Sequence, residues 1–547
     1  MRKLIWAGCG VLLVLLPALG ATPAAAAPAD DAGTVAGVLT AQQRLGPVPV
    51  RRPVTPAATD SFAIGAALDT VAVGTGHTCV SVLYSYVWCW GEGGDGQLGD
   101  GTTTDAAEPV LVSGHLRDKL VLGLAAGRAH TCALALEDEG FGTYCWGAND
   151  DGQLGDGSTD DQTRPEEVAT DVIGLSTGAD HTCVVGVDLM VSCWGRNDQG
   201  QLGVDTAGAS SPSPQEVAGL ADVVDVAAGT DSTCAADADG RAYCWGGLTG
   251  SDVPAALPGA DYSQVTVGRA HACGLVGSAL TGGQVHCWGA DDRGQLGNGS
   301  GTVDSAVPVP VAGHRAYVSV SAAGDSTCAV TATGQGYCWG ANDDGQLGTG
   351  DTEQHLTPVA VDQSRVTNSQ VVRELYGARE SMIVNLTAGP DRSCAVSVEQ
   401  ATYCTRGRLL TKVPLGPGPP RDVRATPRDA SLAVTWSPPA RTGAAPLLGY
   451  AAVAASAGLR DGMSCETRKP GCTVPDLTNN RRYAVFVVAL STGGMAYSAI
   501  TYAAPAGGGA GGSLPITGPQ GPVTTALALL GTGAALLLVT RDRRRVR

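Results

Sequence analysis

The chain has 547 residues, a formal net charge of −17, 16% charged residues and 5% aromatic ones. Its length exceeds one domain, and its acidity argues against a phosphate-tracking, nucleic-acid-binding surface. Its 17 cysteines, 16 of them in local pairs, argue for an oxidising compartment.

Residues 1–27 read as an export signal. Arg2 and Lys3 open it, Val11 to Leu19 is a short apolar core, and Ala24 to Ala27 offers a cleavage site. Cys9 precedes the apolar core, so it is not read as a lipidation site. Residues 28–60, rich in Pro, Ala and Val, read as a linker. Without the basic start and the basic C-terminal tail, the charge approaches −23.

From 61 to 413 one unit recurs seven times. Between Gly127 and Gly155 it reads G-R-A-H-T-C-A-L-A-L, an acidic turn, then Y-C-W-G-A-N-D-D-G-Q-L-G. A period near 50 residues signals a solenoid, propeller or array. Short apolar runs such as Val223 to Val226, broken by turn residues, give strand punctuation and no helical period. Four short strands per unit suit a propeller blade, and seven blades close without a long bare edge. In five copies seven residues separate the Trp from the Gln of Gly-Gln-Leu-Gly, from Trp90 to Gln97 through Trp339 to Gln346. The Leu is expected to plug the space between blades, and the Trp to keep its N–H bonded.

Each unit carries two cysteines 10 to 14 residues apart, as on neighbouring strands of a hairpin. In an exported chain they read as disulfides: Cys79–Cys89, Cys132–Cys145, Cys183–Cys193, Cys234–Cys244, Cys273–Cys287, Cys328–Cys338 and Cys394–Cys404. Zinc is disfavoured because C-x-x-C spacing is absent.

These repeats resemble those of the regulator of chromosome condensation family, in a secreted bacterial form with paired cysteines. The resemblance implies a seven-bladed, all-β propeller. Two copies depart from it. The fourth keeps Cys244-Trp245-Gly246 but lacks the Gly-Gln-Leu-Gly loop, and the seventh has Thr405 in place of Trp. An insertion is expected near Gln363 to Ser381, as a place for a partner-binding loop.

Three features invite chemistry. Gly174 to Gly178 matches the G-x-S-x-G elbow around Ser176, but it falls on a blade strand with no helix after it. His77, His130, His181 and His271 stand two residues before a Cys, where other units have Ser232, Ser326 and Arg392. Such a slot suits a turn or rim hydrogen bond better than a metal. The acidic loops, such as Asn149 to Gly152, lack EF-hand spacing and read as solvated turns.

After the break at Leu415 to Pro420, residues 415–504 alternate like a β-sandwich. Leu477 and Tyr483 have the spacing of a tyrosine corner, and the stretch resembles a fibronectin type III domain, with Cys465–Cys472 as a further disulfide. Residues 505–513 form a Gly/Ala/Ser tether. Leu514, Pro515, Ile516, Thr517 and Gly518, the uncharged stretch 523–540 and the basic end resemble a sortase sorting signal. That implies cleavage after Thr517 and attachment to peptidoglycan on a Gram-positive cell, the membrane being spanned only before sorting.

The expectation is therefore a non-catalytic, wall-displayed binding protein without cofactor or metal, its propeller taking a protein or glycan ligand and no nucleic acid. The rival readings are a secreted propeller inhibitor of β-lactamase or penicillin-binding protein, and a wall-acting hydrolase.

Overall fold

The computed structural model describes residues 71–506, apart from 83–85, 138–139, 206–207, 260, 279–281, 302, 372, 374–378 and 457–462. Nearer the start it gives only the paired strands Ile5–Ala7 and Val11–Leu13. The linker, most of the export signal, the tether beyond 506, the sorting motif and the apolar stretch 523–540 lie outside the described residues. Among the described residues no helix is long and apolar enough to cross a membrane.

The chain divides into two compact units, one holding 71–367 with 381–413 and the other 368–380 with 414–506. The larger unit is all-β. Its described strands run as seven successive groups, each an antiparallel meander of four, the fifth and sixth joined into one eight-stranded sheet by a bridge between Gly283 and Tyr317. The first group is Val71–Val73, His77–Val82, Tyr86–Gly91 and Ala106–Leu111; the last is Ile383–Ala388, Ser393–Ser397, Thr402–Arg406 and Leu409–Lys412. The second and third strands pair so that the two cysteines face each other, and a disulfide joins them in every group.

The core lies between groups as well as within them. Leu98, from the loop of the first group, packs with Val121, Leu124 and Trp146 of the second. Leu154 packs likewise with Val172, Leu175 and Trp194. Leu98, Leu154, Leu202, Leu296 and Leu347 are all fully buried. Each plugs the seam to the following sheet, where removing a Leu side chain typically costs ~2–5 kcal/mol. The last group returns to the first: Thr387 Oγ1 donates to the Val71 carbonyl at 3.4 Å. The sheets thus close into a propeller.

The smaller unit is a sandwich. A sheet of Arg421–Arg428, Ser431–Ser437 and Gly471–Val474 faces a sheet built on Leu447–Ser456 and Tyr483–Ser491. Leu432, Val434, Trp436, Tyr450, Val485 and Val487 meet in its core. Thr478 N–H donates to the Tyr483 hydroxyl at 2.9 Å, a short-range tie of the tyrosine-corner kind. Cys465–Cys472 joins the strand Met463–Thr467 to the first sheet.

The insertion near Gln363 to Ser381 sends one residue into a core. Val371 is buried and packs with Val453, Ala455, Phe486, Val488 and Leu490. Strand Tyr483–Ser491 is buried along its whole length, so its second face needs an apolar cover, and Val371 contributes to it. Val371 thus serves the packing of the sandwich.

Candidate functional site

The Gly-Gln-Leu-Gly loop is where one group reads the next. Gln153 curls its side chain back, Oε1 accepting from Asp151 N–H at 2.9 Å. This leaves the Gln153 carbonyl facing the following group. Trp194 Nε1–H donates to it at 3.0 Å and Thr182 Oγ1–H at 2.9 Å. The arrangement repeats at Gln97 with Trp146 and Thr131, at Gln201 with Trp245 and Thr233, and at Gln295 with Trp339 and Thr327. Gly155 has φ 83° and a Cβ there would lie 2.5 Å from Trp194 Nε1, so both its backbone and its bareness are required.

The four histidines complete the seam. His77 Nε2 lies 2.7 Å from Thr131 Oγ1, His130 Nε2 3.1 Å from Thr182, His181 Nε2 2.9 Å from Thr233 and His271 Nε2 2.8 Å from Thr327. Since each threonine hydroxyl gives its proton to a glutamine carbonyl, the imidazole must be the donor through Nε2–H. All four rings are fully buried. Burial holds the pKa of His130 at about 3, helped by His77, His181 and Arg128, and that of His77 at about 4, helped by Arg392. Burial alone holds His181 and His271 at about 3. The expectation of a turn or rim bond is corrected: the slot is an internal one, and the partner belongs to the next repeat.

The irregular copies fit this rule. The fourth repeat lacks both His, with Ser232 in the slot, and the loop; the fifth answers with Ala272 where Thr would stand. Trp288 consequently has a buried Nε1–H with no acceptor. The seventh repeat has Arg392 in the slot and no loop, and Thr78 Oγ1 in the first is correspondingly unpartnered.

No candidate nucleophile emerges from these positions. Ser176 lies in the strand Val172–Thr177, and its Oγ accepts the Ala228 N–H at 3.0 Å, joining two groups. Among the described residues no three His, Cys, Asp or Glu side chains gather to hold a metal ion. What does face solvent is the tip of each loop: Asp95, Asp150, Asp198, Asp292 and Asp343 are exposed. Some are partly compensated, as in the Arg196–Asp198 pair at 2.5 Å. Exposed loops on a rigid scaffold are where propellers present recognition.

Residues 31–383 match the model of the RCC1-like domain. The chain belongs to this family. It is 28% identical over 420 residues to the ultraviolet-B receptor UVR8 of Arabidopsis thaliana, covering 72% of this chain and 91% of the receptor. It is 30% identical over 281 residues to the human E3 ubiquitin-protein ligase HERC2, covering 47% of this chain but only 6% of the ligase. Among solved structures it is similar to human WBSCR16, with a TM-score of 0.50 and 24% identity over 60% of this chain and 86% of that one. It is also similar to Prp20p of Saccharomyces cerevisiae, with a TM-score of 0.51 and 16% identity over 66% of this chain and 89% of that one. These two likenesses establish the RCC1-like fold alone.

Proposed function

We propose that this RCC1-like chain is a non-catalytic interaction protein displayed on a Gram-positive cell wall, with a seven-bladed ring as its head. A fibronectin type III-like sandwich and a glycine tether would form the stalk, and Thr517, joined to peptidoglycan by sortase, the foot. The observation that carries the non-catalytic reading is the engagement of every candidate group: Ser176 and the four histidines are committed to bonds between sheets. The exposed Asp residues at successive loop tips favour a partner with a basic surface, whose binding would weaken with salt.

The test uses the whole chain expressed in a sortase-positive Gram-positive host. Wall digestion should release a protein whose last residue is Thr517, carrying a peptidoglycan fragment. Cross-linking at the cell surface should then recover one reproducible partner, lost when Asp95, Asp150, Asp198, Asp292 and Asp343 are neutralised together. A chain still ending at Arg547, or no loss of partner in that variant, would count against the anchor and the binding face respectively.

A further inference from the structure

In the second and sixth repeats the loop that opens three residues after Trp is centred on an asparagine amide. Asn149 Oδ1 accepts the Leu154 N–H at 3.0 Å. Its Nδ2 reaches Asp156 Oδ1 and Ser158 Oγ at 3.3 Å, and the carbonyls of Ser158 and Asp160 at 3.1 Å. Asn342 does the same, with Oδ1 on Leu347 N–H and Nδ2 on Thr349 Oγ1 and the Asp351 carbonyl and Oδ1. The amide is the donor that holds a ring of acceptor oxygens together.

The fifth repeat has Asp291 in this position. Its Oδ1 keeps the anchor, accepting Leu296 N–H at 3.0 Å, and its N–H is held by Asp304 Oδ1 at 2.9 Å, as Asn149 N–H is by Asp161. The surrounding loop is built alike: Asn298 Oδ1 accepts from Ser300 N–H and Oγ–H as Asp156 Oδ1 does from Ser158. Where the amide donor stood there is now a carboxylate oxygen. Asp291 is 1% exposed, and no hydrogen bond of ordinary geometry reaches its Oδ2, although the Val303 N–H also acts on the carboxylate. A buried carboxylate oxygen without a hydrogen bond is costly, and a positive charge beside it would offset that cost.

We infer that the Asp291 loop is a binding site for a hard, oxygen-preferring divalent cation of the calcium class. Oxygen ligands 2.3–2.6 Å from a calcium ion, at right angles to each other, lie about 3.3–3.7 Å apart. Asn149 Nδ2 meets Asp156 Oδ1 and Ser158 Oγ at the lower end of that spacing and the two carbonyls slightly inside it, so a cation in a ring of this kind needs a modest expansion. Asp291 Oδ2 supplies the charge, with the Asn298 and Ser300 oxygens as the counterparts of the Asp156 and Ser158 ligands. The neighbouring Asp292 and Asp304 carboxylates and the acidic surface add to the pull on a cation.

Burial and those two carboxylates also push the Asp291 pKa up, against the N–H groups of Leu296 and Val303, so a proton is the competing occupant. Titration of the whole chain with CaCl2, followed by calorimetry and thermal melting, separates the two. Saturable binding of one equivalent is expected in the roughly 0.1–1 mM range of extracellular calcium modules, with a rise in melting temperature reversed by EGTA. Asp291→Asn should fold, since Asn serves in the sister loops, and should lose calcium binding at least tenfold. Asn149→Asp, which places the same carboxylate in the second loop, should add a second equivalent whether or not the first variant folds. No saturable binding by the wild type up to 10-fold above that range, or binding undiminished in Asp291→Asn, overturns the inference. A wild type indifferent to calcium whose Asp291→Asn variant is more stable would assign the place to a proton and overturn it equally.

Discussion

His77 Nε2 and Thr131 Oγ1 lie 2.7 Å apart although 54 residues separate them, and the threonine passes its own proton to the Gln97 carbonyl. Three residues from two successive repeats are thus tied in one buried chain, to which Trp146 Nε1–H adds a fourth member. The tie is a bond between sheets, and it has consequences for stability that sheet pairing alone would not produce.

Thr131→Val keeps shape but strands the imidazole donor in a dry place. Leaving a buried donor unsatisfied costs about 1–3 kcal/mol. The variant should melt lower in denaturant by that amount, with an unchanged slope. The equivalent change at Thr78, whose hydroxyl has no partner in the structure, should be nearly neutral. Equal losses at both positions would show that the histidine bond contributes nothing.

Acid should loosen the ring before it titrates the carboxylates. The unfolded histidines take up protons near pH 6.5, while in the fold burial lowers His130, His181 and His271 to about 3 and His77 to about 4. Between those limits the unfolded chain binds more protons, so stability is complete above pH 6.5 and declines as pH falls toward the folded values. Each histidine then contributes a slope of up to about 1.4 kcal/mol per pH unit. Denaturant midpoints measured from pH 7 to 5 should fall steadily, and His130→Gln should remove about a quarter of the fall if the four rings act alike. A midpoint that stays level over that window contradicts the burial of neutral rings.

Much of this was legible in the chain. The constant spacing of Trp and Gln fixed which residues share a loop, and the paired cysteines marked the two middle strands of each sheet. The plugging role of Leu98 and Leu154 followed from their place after the turn. What the residues did not reveal was the direction of each bond. The acceptor for Trp194 is a backbone carbonyl 41 residues earlier, and a carbonyl has no letter of its own. The histidine slot looked permissive because Ser, Arg and His all occur in it. Its partner sits in the next repeat, so only the pairing of Ser232 with Ala272 would have disclosed the link. The packing of Val371 was hidden for a different reason. Val371 satisfies an apolar face of the sandwich, and nothing near it in sequence states that need.

Disulfides should stabilise each sheet locally. In the chain-entropy account, closing a loop of 10 residues, as between Cys234 and Cys244, contributes roughly 2.7 kcal/mol. Replacing both cysteines by serine should lower stability by at least about that much, because serine also leaves buried hydroxyls without partners. Peptide mapping without reductant should recover each bridge within its own repeat. Bridges between repeats would contradict the strand registers.

Trp288 and Trp339 offer the sharpest comparison, since they occupy the same place in successive repeats. Both are buried, 2% and 0% exposed, and both end the same third strand beside a cysteine. Trp339 Nε1–H donates to the Gln295 carbonyl at 2.9 Å, whereas Trp288 follows the repeat without a Gly-Gln-Leu-Gly loop and its N–H finds no acceptor. Phenylalanine removes the indole N–H and some volume at either site. At Trp339 it forfeits a bond worth about 0.5–1.5 kcal/mol on top of the packing loss. At Trp288 it removes a buried donor that was never paired, which offsets part of that loss. Trp339→Phe should therefore destabilise the protein more than Trp288→Phe, by about 1–3 kcal/mol in denaturant titrations. The reverse order would mean that the missing loop of the fourth repeat leaves no unpaired group behind, and that the seam is held by packing alone.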